Sequence, residues 1–418
     1  MGKIAKSTQI KTFCMASGER YCVLIDQRTG IPLSRPNLFV TTQIRNRSLS
    51  LSAMEAALNG IQILLVFCED RGIDLEGRFL RCEFFRTNEL DSIRDFCQKR
   101  FEPGKSSAES KVLKFEVART RVEKATEYSR LTEVAEYLEW LSGYLLGSAL
   151  DRNTSVLIRQ MVEGLKARRP PFKKRNQIRR EYGFDDSQID KLFEVITPGS
   201  TGNPFIRIDV QKRNYAMISV LAYIGNRGGE LLNLRIPDIN FATNHILIAR
   251  RADEAADNRL YQPLVKTLDR LAPMRDSLAF VLHEYITRFR DKVPDALRHD
   301  YVFVTHKAGP TQGQPLSISG YQKMIRTIAN SALELADLHG HALRHAWNRK
   351  FSEFMDALEN PPSPEAQEKL RSYLMGWLEG SGTAAGYTLR FTEEKAMKAG
   401  LQLQEGMIRV PDNLSHGY

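Results

Sequence analysis

The feature that most limits how this chain can fold is the run K-A-R-R-P-P-F-K-K-R-N-Q-I-R-R, where Pro170 and Pro171 interrupt eight cations and no anion. Proline lacks the N–H that a helix interior uses, and its ring clashes with the preceding turn, so no regular helix passes through this point. The run therefore divides a chain of 418 residues, longer than one hydrophobic core usually serves, into parts that each need their own core. The expected division is an N-terminal extension over 1–40, a helical domain over 41–165, a basic linker over 166–180, a second domain over 181–395 and a tail over 396–418.

A hydrophobic share of 42% against 26% charged residues is the balance of a folded chain, not a disordered one. The formal charge of +10 and the pI near 9.3 favour a polyanionic partner. Charge alone fits simple solubility as well, so a local pattern is needed. The linker supplies one. Lys166, Arg168, Arg169, Lys173, Lys174, Arg175, Arg179 and Arg180 form either a solvated charge run or a strap along a phosphate backbone, where each cation releases condensed counterions.

Cys14, Cys22, Cys68, Cys82 and Cys97 make no C-x-x-C pair of the kind that holds zinc, and Cys68 and Cys97, inside apolar helix-like runs, read as reduced core residues of a cytoplasmic protein. The N-terminus lacks an apolar signal core, and the apolar stretch around 61–68 is too short to span a bilayer. Neither export nor a membrane anchor is expected.

Residues 21–26 are β-prone, 27–30 read as a turn and 31–33 as a short return strand, together a small hairpin. From Ser52 the pattern changes. S-A-M-E has capping-box spacing, and Met54, Ala57, Leu58, Ile61, Leu64, Leu65 and Cys68 recur at helical intervals before Gly72. Further amphipathic helices are expected at 89–100, 125–146 and 154–168. The second domain opens with helices over 187–196 and 212–224, then two strands, 245–249 and 259–264, around a charged loop, with helices filling most of the rest. The predicted architecture is an all-α domain followed by a mixed α/β, mainly helical one.

Three segments carry candidate chemistry. In Y-I-G-N-R-G-G-E-L-L-N-L-R-I-P-D-I, Arg227 and Glu230 open a helix after a glycine break, where backbone N–H groups and a guanidinium can grip an anion. Alone, R-x-x-E is more often a helix-surface pair. In L-H-G-H-A-L-R-H-A-W-N, His341 and Arg344 are three apart and share a helix face, with His345 beside them. An imidazole next to a permanent cation suits phosphate-ester chemistry. In Y-L-M-G-W-L-E-G-S-G-T-A-A-G-Y-T-L-R-F, Trp377 follows a helix-ending glycine, and Tyr387 comes ten residues later. A lone tyrosine is usually a core or surface aromatic.

Taken together and in this order, the segments resemble the R, H-x-x-R and Tyr boxes of the tyrosine recombinases, covering about the last two hundred residues, with a looser likeness to that family's core-binding domain upstream. The resemblance implies a site-specific recombinase, an integrase or transposase of a mobile element. Tyr387 would attack a DNA phosphate and form a 3′-phosphotyrosyl bond, with no cofactor, ATP or metal required. Arg227 and Arg344 would clamp the non-bridging oxygens, and His341 would move the Tyr387 proton. Trp377 stands where the family has His or Trp and would donate its indole N–H. Glu230 and His345 would brace the site. The implied partners are double-stranded DNA and three further copies of the chain, a tetramer on two sites, with an accessory DNA-bending or directionality protein left open. The implied location is the bacterial cytoplasm, at the nucleoid.

One departure stands out. The family carries a lysine on the hairpin ahead of a strand, but I-L-I-A-R-R-A-D-E-A-A-D-N-R-L-Y-Q-P-L contains none. Arg251, or Arg250, is the expected substitute cation, with Lys307 a remoter one. A guanidinium releases a proton too reluctantly to be an efficient general acid. The rival readings are a type IB topoisomerase and a DNA-binding protein with a degenerate site.

Overall fold

A computed structural model describes residues 7–47, 50–100, 121–171, 184–380, 396–397 and 399–404. It comprises two compact units, Met1–Gln177 and Ile178–Tyr418.

In the first unit, β1 (Thr8–Cys14) pairs antiparallel with β2 (Arg20–Asp26), from Thr8 opposite Asp26 to Cys14 opposite Arg20. The expected hairpin exists, but with the upstream segment as partner. Residues 31–33 contribute one isolated bridge, Pro32 to Ile25. The reason is donor supply: T-Q-I-K-T-F-C offers a full ladder, whereas Pro32 has no N–H to give. Tyr21, Cys22 and Leu24 of β2, with Phe39 and Val40, are buried in one core with the helices, so the unit is not all-α.

The helices are α1 (Ser34–Phe39), α2 (Leu51–Asp70), α3 (Leu75–Leu80), α4 (Thr87–Cys97), α5 (Lys124–Leu146) and α6 (Arg152–Ala167). The centre is α2, which packs against α4, α5 and both strands. Contact on several sides explains why Ile63 and Val66 are buried together with the expected Met54, Leu58, Ile61 and Leu64. Its 20 residues are long and apolar enough to cross a membrane by length and composition, contrary to the expectation of too short a stretch. Its buried side chains are core residues of this unit. The S-A-M-E box does not form, because the helix starts at Leu51 and puts Ser52 inside the first turn.

In the second unit, α7 (Asp186–Ile196) precedes α8 (Ile208–Ile224), whose Ala216, Met217, Ile218, Val220 and Leu221 are buried in the main core. The short α9 (Gly228–Leu232) leads to an antiparallel sheet of β3 (Ile239–Asn240), β4 (His245–Ile248) and β5 (Arg270–Pro273), in that order, with Ile246 opposite Ala272. Then follow α10 (Asp276–Glu284), α11 (Ile318–Ala329), α12 (Ala342–Asp356) and α13 (Pro364–Met375). Residues 396–397 and 399–404 are helical.

The second hairpin strand is therefore 270–273, not 259–264. Residue 259 is withdrawn from any ladder by a buried ion pair, Arg259 Nη2 to Asp257 Oδ2 at 2.7 Å. Arg259 Nη1 also donates to the carbonyls of Leu232 (3.1 Å) and Leu316 (2.9 Å), and the Tyr301 hydroxyl donates to Asp257 (3.1 Å). The loop over 249–269 is thus fastened to the domain near its middle. Asp257→Asn leaves the Arg259 guanidinium buried without its counter-charge. It is expected to destabilise the protein by about 3–5 kcal/mol, read as a lower urea midpoint.

Candidate active site

The site is assembled around a carboxylate. Glu230, in the first turn of α9, is fully buried and pairs with Arg270 Nη2 at 2.7 Å and, on its other oxygen, with Arg227 Nη1 at 3.4 Å. Burial alone would raise its carboxyl, but Arg270, then Arg344 and Arg227, outweigh burial and hold it below the usual carboxylate range. Arg270, the first residue of β5, also donates to the carbonyl of Leu374 (2.8 Å), to Thr267 Oγ1 (3.1 Å) and to Asn226 Oδ1 (3.1 Å). One buried guanidinium therefore ties the hairpin to the Arg227 turn and to the end of α13.

Arg344 makes the second tie. It is 1% exposed, on the first turn of α12, and its Nη1 and Nη2 donate to the carbonyls of Gly225 (2.8 Å) and Met375 (3.1 Å). Its guanidinium lies 5.1 Å from the centre of the Trp377 ring. Trp377 is reached through Gly376, the left-handed cap of α13 at φ +64°. Only glycine fits: a Cβ there would come within 2.8 Å of Arg270 Nη1 and of the Leu268 carbonyl. The Leu268 N–H in turn donates to the Gly376 carbonyl at 2.9 Å, closing the hairpin loop onto the same point.

His341 stands at the N-cap of α12, one residue ahead of the helix rather than on its face, and is exposed. Partial burial, and then the nearby Arg227 and Arg344, hold its imidazole below the ordinary histidine value. The His345 ring is 6.4 Å from that of His341. Arg227, Glu230, His341, Arg344 and Trp377 thus converge, as the spacing of the segments suggests.

Other expected residues lie elsewhere. Arg251 grips Asp238 through two hydrogen bonds (2.6 and 3.0 Å), which commits its guanidinium to bracing the loop. Arg250 is exposed, and its backbone N–H donates to Asp269. A lysine that the sequence reading passed over is Lys266, two residues beyond the stretch I-L-I-A-R-R-A-D-E-A-A-D-N-R-L-Y-Q-P-L and inside the hairpin loop. It is exposed, has no ion-pair partner among the described residues, and sits between buried Val265 and buried Thr267, whose hydroxyl donates to Glu230 at 3.0 Å. The signal that finds it is K-T-L-D-R-L-A-P, a lysine ahead of a true strand.

Of the basic run, Arg168 holds α6 to α4 through Asp91 (2.7 Å) and the Thr87 carbonyl, and Arg169 lies over the Tyr128 ring of α5. Lys166 is 4.0 Å from Glu139. Arg168 and Arg169 thus brace the first unit. Lys173, Lys174, Arg175, Arg179 and Arg180 lie outside the described residues, as does Tyr387.

Residues 187–354 match the phage integrase family. With the relatives below, that match supports the tyrosine recombinase family as the class that this part of the chain resembles. Among its relatives, the tyrosine recombinase XerD of Halalkalibacterium halodurans is 27% identical over 135 residues, covering 32% of this chain and 39% of the relative. The tyrosine recombinase XerC of Oceanobacillus iheyensis is 27% identical over 164 residues, 38% of this chain and 44% of the relative. The chain thus spans less than half the length of these curated relatives. Similar solved structures include the XerH site-specific recombinase bound to difH substrate, with 16% identity, 87% of this chain and 92% of that one covered, and a TM-score of 0.41. Another is the Tn1549 transposon integrase with circular intermediate DNA, with 15% identity, 64% and 75% covered, and a TM-score of 0.40.

The electrostatics make a direct prediction. The His341 imidazole is expected to titrate below the ordinary value of about 6.5, and Arg227→Ala is expected to raise its midpoint, because removing a cation favours the imidazolium. NMR titration of the ring protons checks both. An unchanged midpoint in the variant contradicts the assigned cause.

Proposed function

We propose that this chain is a site-specific DNA recombinase that cuts and rejoins DNA through a covalent bond to Tyr387. The observation that supports it most is the buried Arg344, fixed between the Gly225 and Met375 carbonyls beside Trp377, which gathers Arg227 and His341 into one cationic, proton-accepting locus. Two guanidiniums suit the two non-bridging oxygens of a phosphodiester.

In this reading the Tyr387 oxygen attacks the scissile phosphorus, forming the Tyr–O–P bond as the bond from phosphorus to the 5′-oxygen breaks. A phenol with an unperturbed pKa of about 10 needs a base, and His341, kept neutral by its surroundings, accepts the proton. The departing 5′-oxygen takes a proton from Lys266, an ammonium that can release one where Arg251 cannot. Attack by a second 5′-hydroxyl reverses the steps and joins new strands. The phosphotyrosyl bond conserves the energy of the broken one, so the residues named suffice for strand exchange. The proposal extends to duplex recombination sites as substrate, four copies of the chain on two sites, an element that moves between DNA locations as the biological setting, and a cytoplasmic place of work. The cations over 173–180 are proposed to follow the DNA backbone.

Two experiments test this. A nicked suicide duplex is expected to trap a covalent adduct with the wild type and none with Tyr387→Phe; no adduct with either protein refutes the reading, and relaxation of any supercoiled plasmid without site preference would favour a topoisomerase instead. Lys266→Ala is expected to slow cleavage by about 10²–10⁴-fold. Sulfur in place of the 5′-bridging oxygen, a leaving group that needs no proton, is expected to restore the rate. Equal defects on both substrates would remove Lys266 from the role of acid.

A further inference from the structure

Tyr321, on the first turn of α11, is neither in the three sequence segments nor among the residues used above. It is 6% exposed, and its hydroxyl is buried with no hydrogen-bond partner among the described residues. Its ring lies directly against two glycines. A Cβ on Gly228 would meet Tyr321 Cε1 at 2.6 Å and its hydroxyl oxygen at 3.1 Å. A Cβ on Gly340 would lie 3.5 Å from the same hydroxyl and 3.7 Å from Cε1. Gly228 directly follows Arg227, and Gly340 directly precedes His341. One phenol therefore occupies the space between the two turns that carry the first arginine and the histidine of the site.

Packing accounts for the ring but not for the oxygen. Phenylalanine would fill the same volume without burying a polar atom that lacks a partner, and such an atom destabilises the fold that contains it. Burial also pushes the phenol above its usual pKa, so it stays a donor at any working pH.

We infer, resting on the strand-transfer reading, that Tyr321 is a positioning residue: wedged between Gly228 and Gly340, it sets the separation of Arg227 and His341, and its hydroxyl is a donor held for the DNA-bound form of those turns. The glycines follow from it. Any side chain at 228 would drive the ring, and with it the spacing of the two groups, out of place.

The test uses the full chain and compares Tyr321→Phe with wild type in single-turnover cleavage of the nicked duplex at saturating DNA, across pH. Because Tyr321→Phe keeps the ring and removes only an unpartnered hydroxyl, its thermal stability is expected to equal or exceed wild type and its DNA affinity to be unchanged. Its cleavage rate is expected to fall about 10- to 100-fold, the scale of one donor lost from the DNA-bound form of the two turns, with a displaced acid limb. A wild-type rate and pH profile in Tyr321→Phe overturns the inference while leaving the strand-transfer reading intact. If the wild type itself forms no adduct, that reading fails, and the His341 NMR titration still decides the inference. In folded Tyr321→Leu its midpoint is expected to move up toward the ordinary histidine value, and an unmoved midpoint overturns the proposed spacing role.

Discussion

The candidate site depends on the buried contact between Glu230 and Arg270. Coulomb attraction across such a pair is opposed by the cost of removing both charges from water, so its net contribution to stability is small or even unfavourable. Its value is geometric. Arg270 spends its donors on Glu230, Asn226, Thr267 and the Leu374 carbonyl, which belong to three separate stretches of chain. A lysine would offer a point charge instead of a planar fork and could not hold all four directions. With the fork in place, the Arg227 turn, the hairpin and the end of α13 have one mutual arrangement, and Arg344 then closes the same three-sided frame through Gly225 and Met375.

Most of the candidate site residues were legible in the sequence because their local patterns are strict. Glycines flank Arg227, His341 and Arg344 are three apart, and Trp377 follows a helix-ending glycine; each is a short-range constraint that survives without knowledge of the fold. What was not legible is long-range. No local signal tells Glu230 which of 60 cations it will meet, and Arg270 lies forty residues away. Lys266 was passed over for a related reason. R-L-Y-Q-P-L reads as a strand by propensity, but Arg259 is drawn inward by Asp257, and the strand forms only where Arg270 can reach Glu230. The hairpin therefore runs further than alternation suggested, and the lysine falls inside it.

The first unit shows the same division between local and distant constraints. Its longer helices, α2, α4, α5 and α6, were read to within a few residues because apolar periodicity is a property of the segment itself, whereas the six-residue α1 and α3 are too short to show a period and were not read. The pairing of β2 was misassigned because it depends on which neighbour can supply N–H donors, and Thr8–Cys14 supplies more than a stretch containing Pro32. The meaning of the basic run changed in a similar way. Charge density at Lys166, Arg168 and Arg169 suggested outward-facing cations, whereas Asp91 and Tyr128 give Arg168 and Arg169 packing partners within the first unit.

The loop between β4 and β5 is fastened at several points, by Arg251 to Asp238 and Glu254 to Arg235 in its first half and, on either side of Lys266, by Asp257 with Arg259 and by Thr267 with Arg270. Only the few residues between those fastenings govern where Lys266 stands. Strain arising over 252–256 meets the Asp257–Arg259 anchor before it reaches Lys266, which separates that stretch from the geometry of the candidate site. A loop built this way can exchange its outward-facing side chains while the residues downstream stay in register.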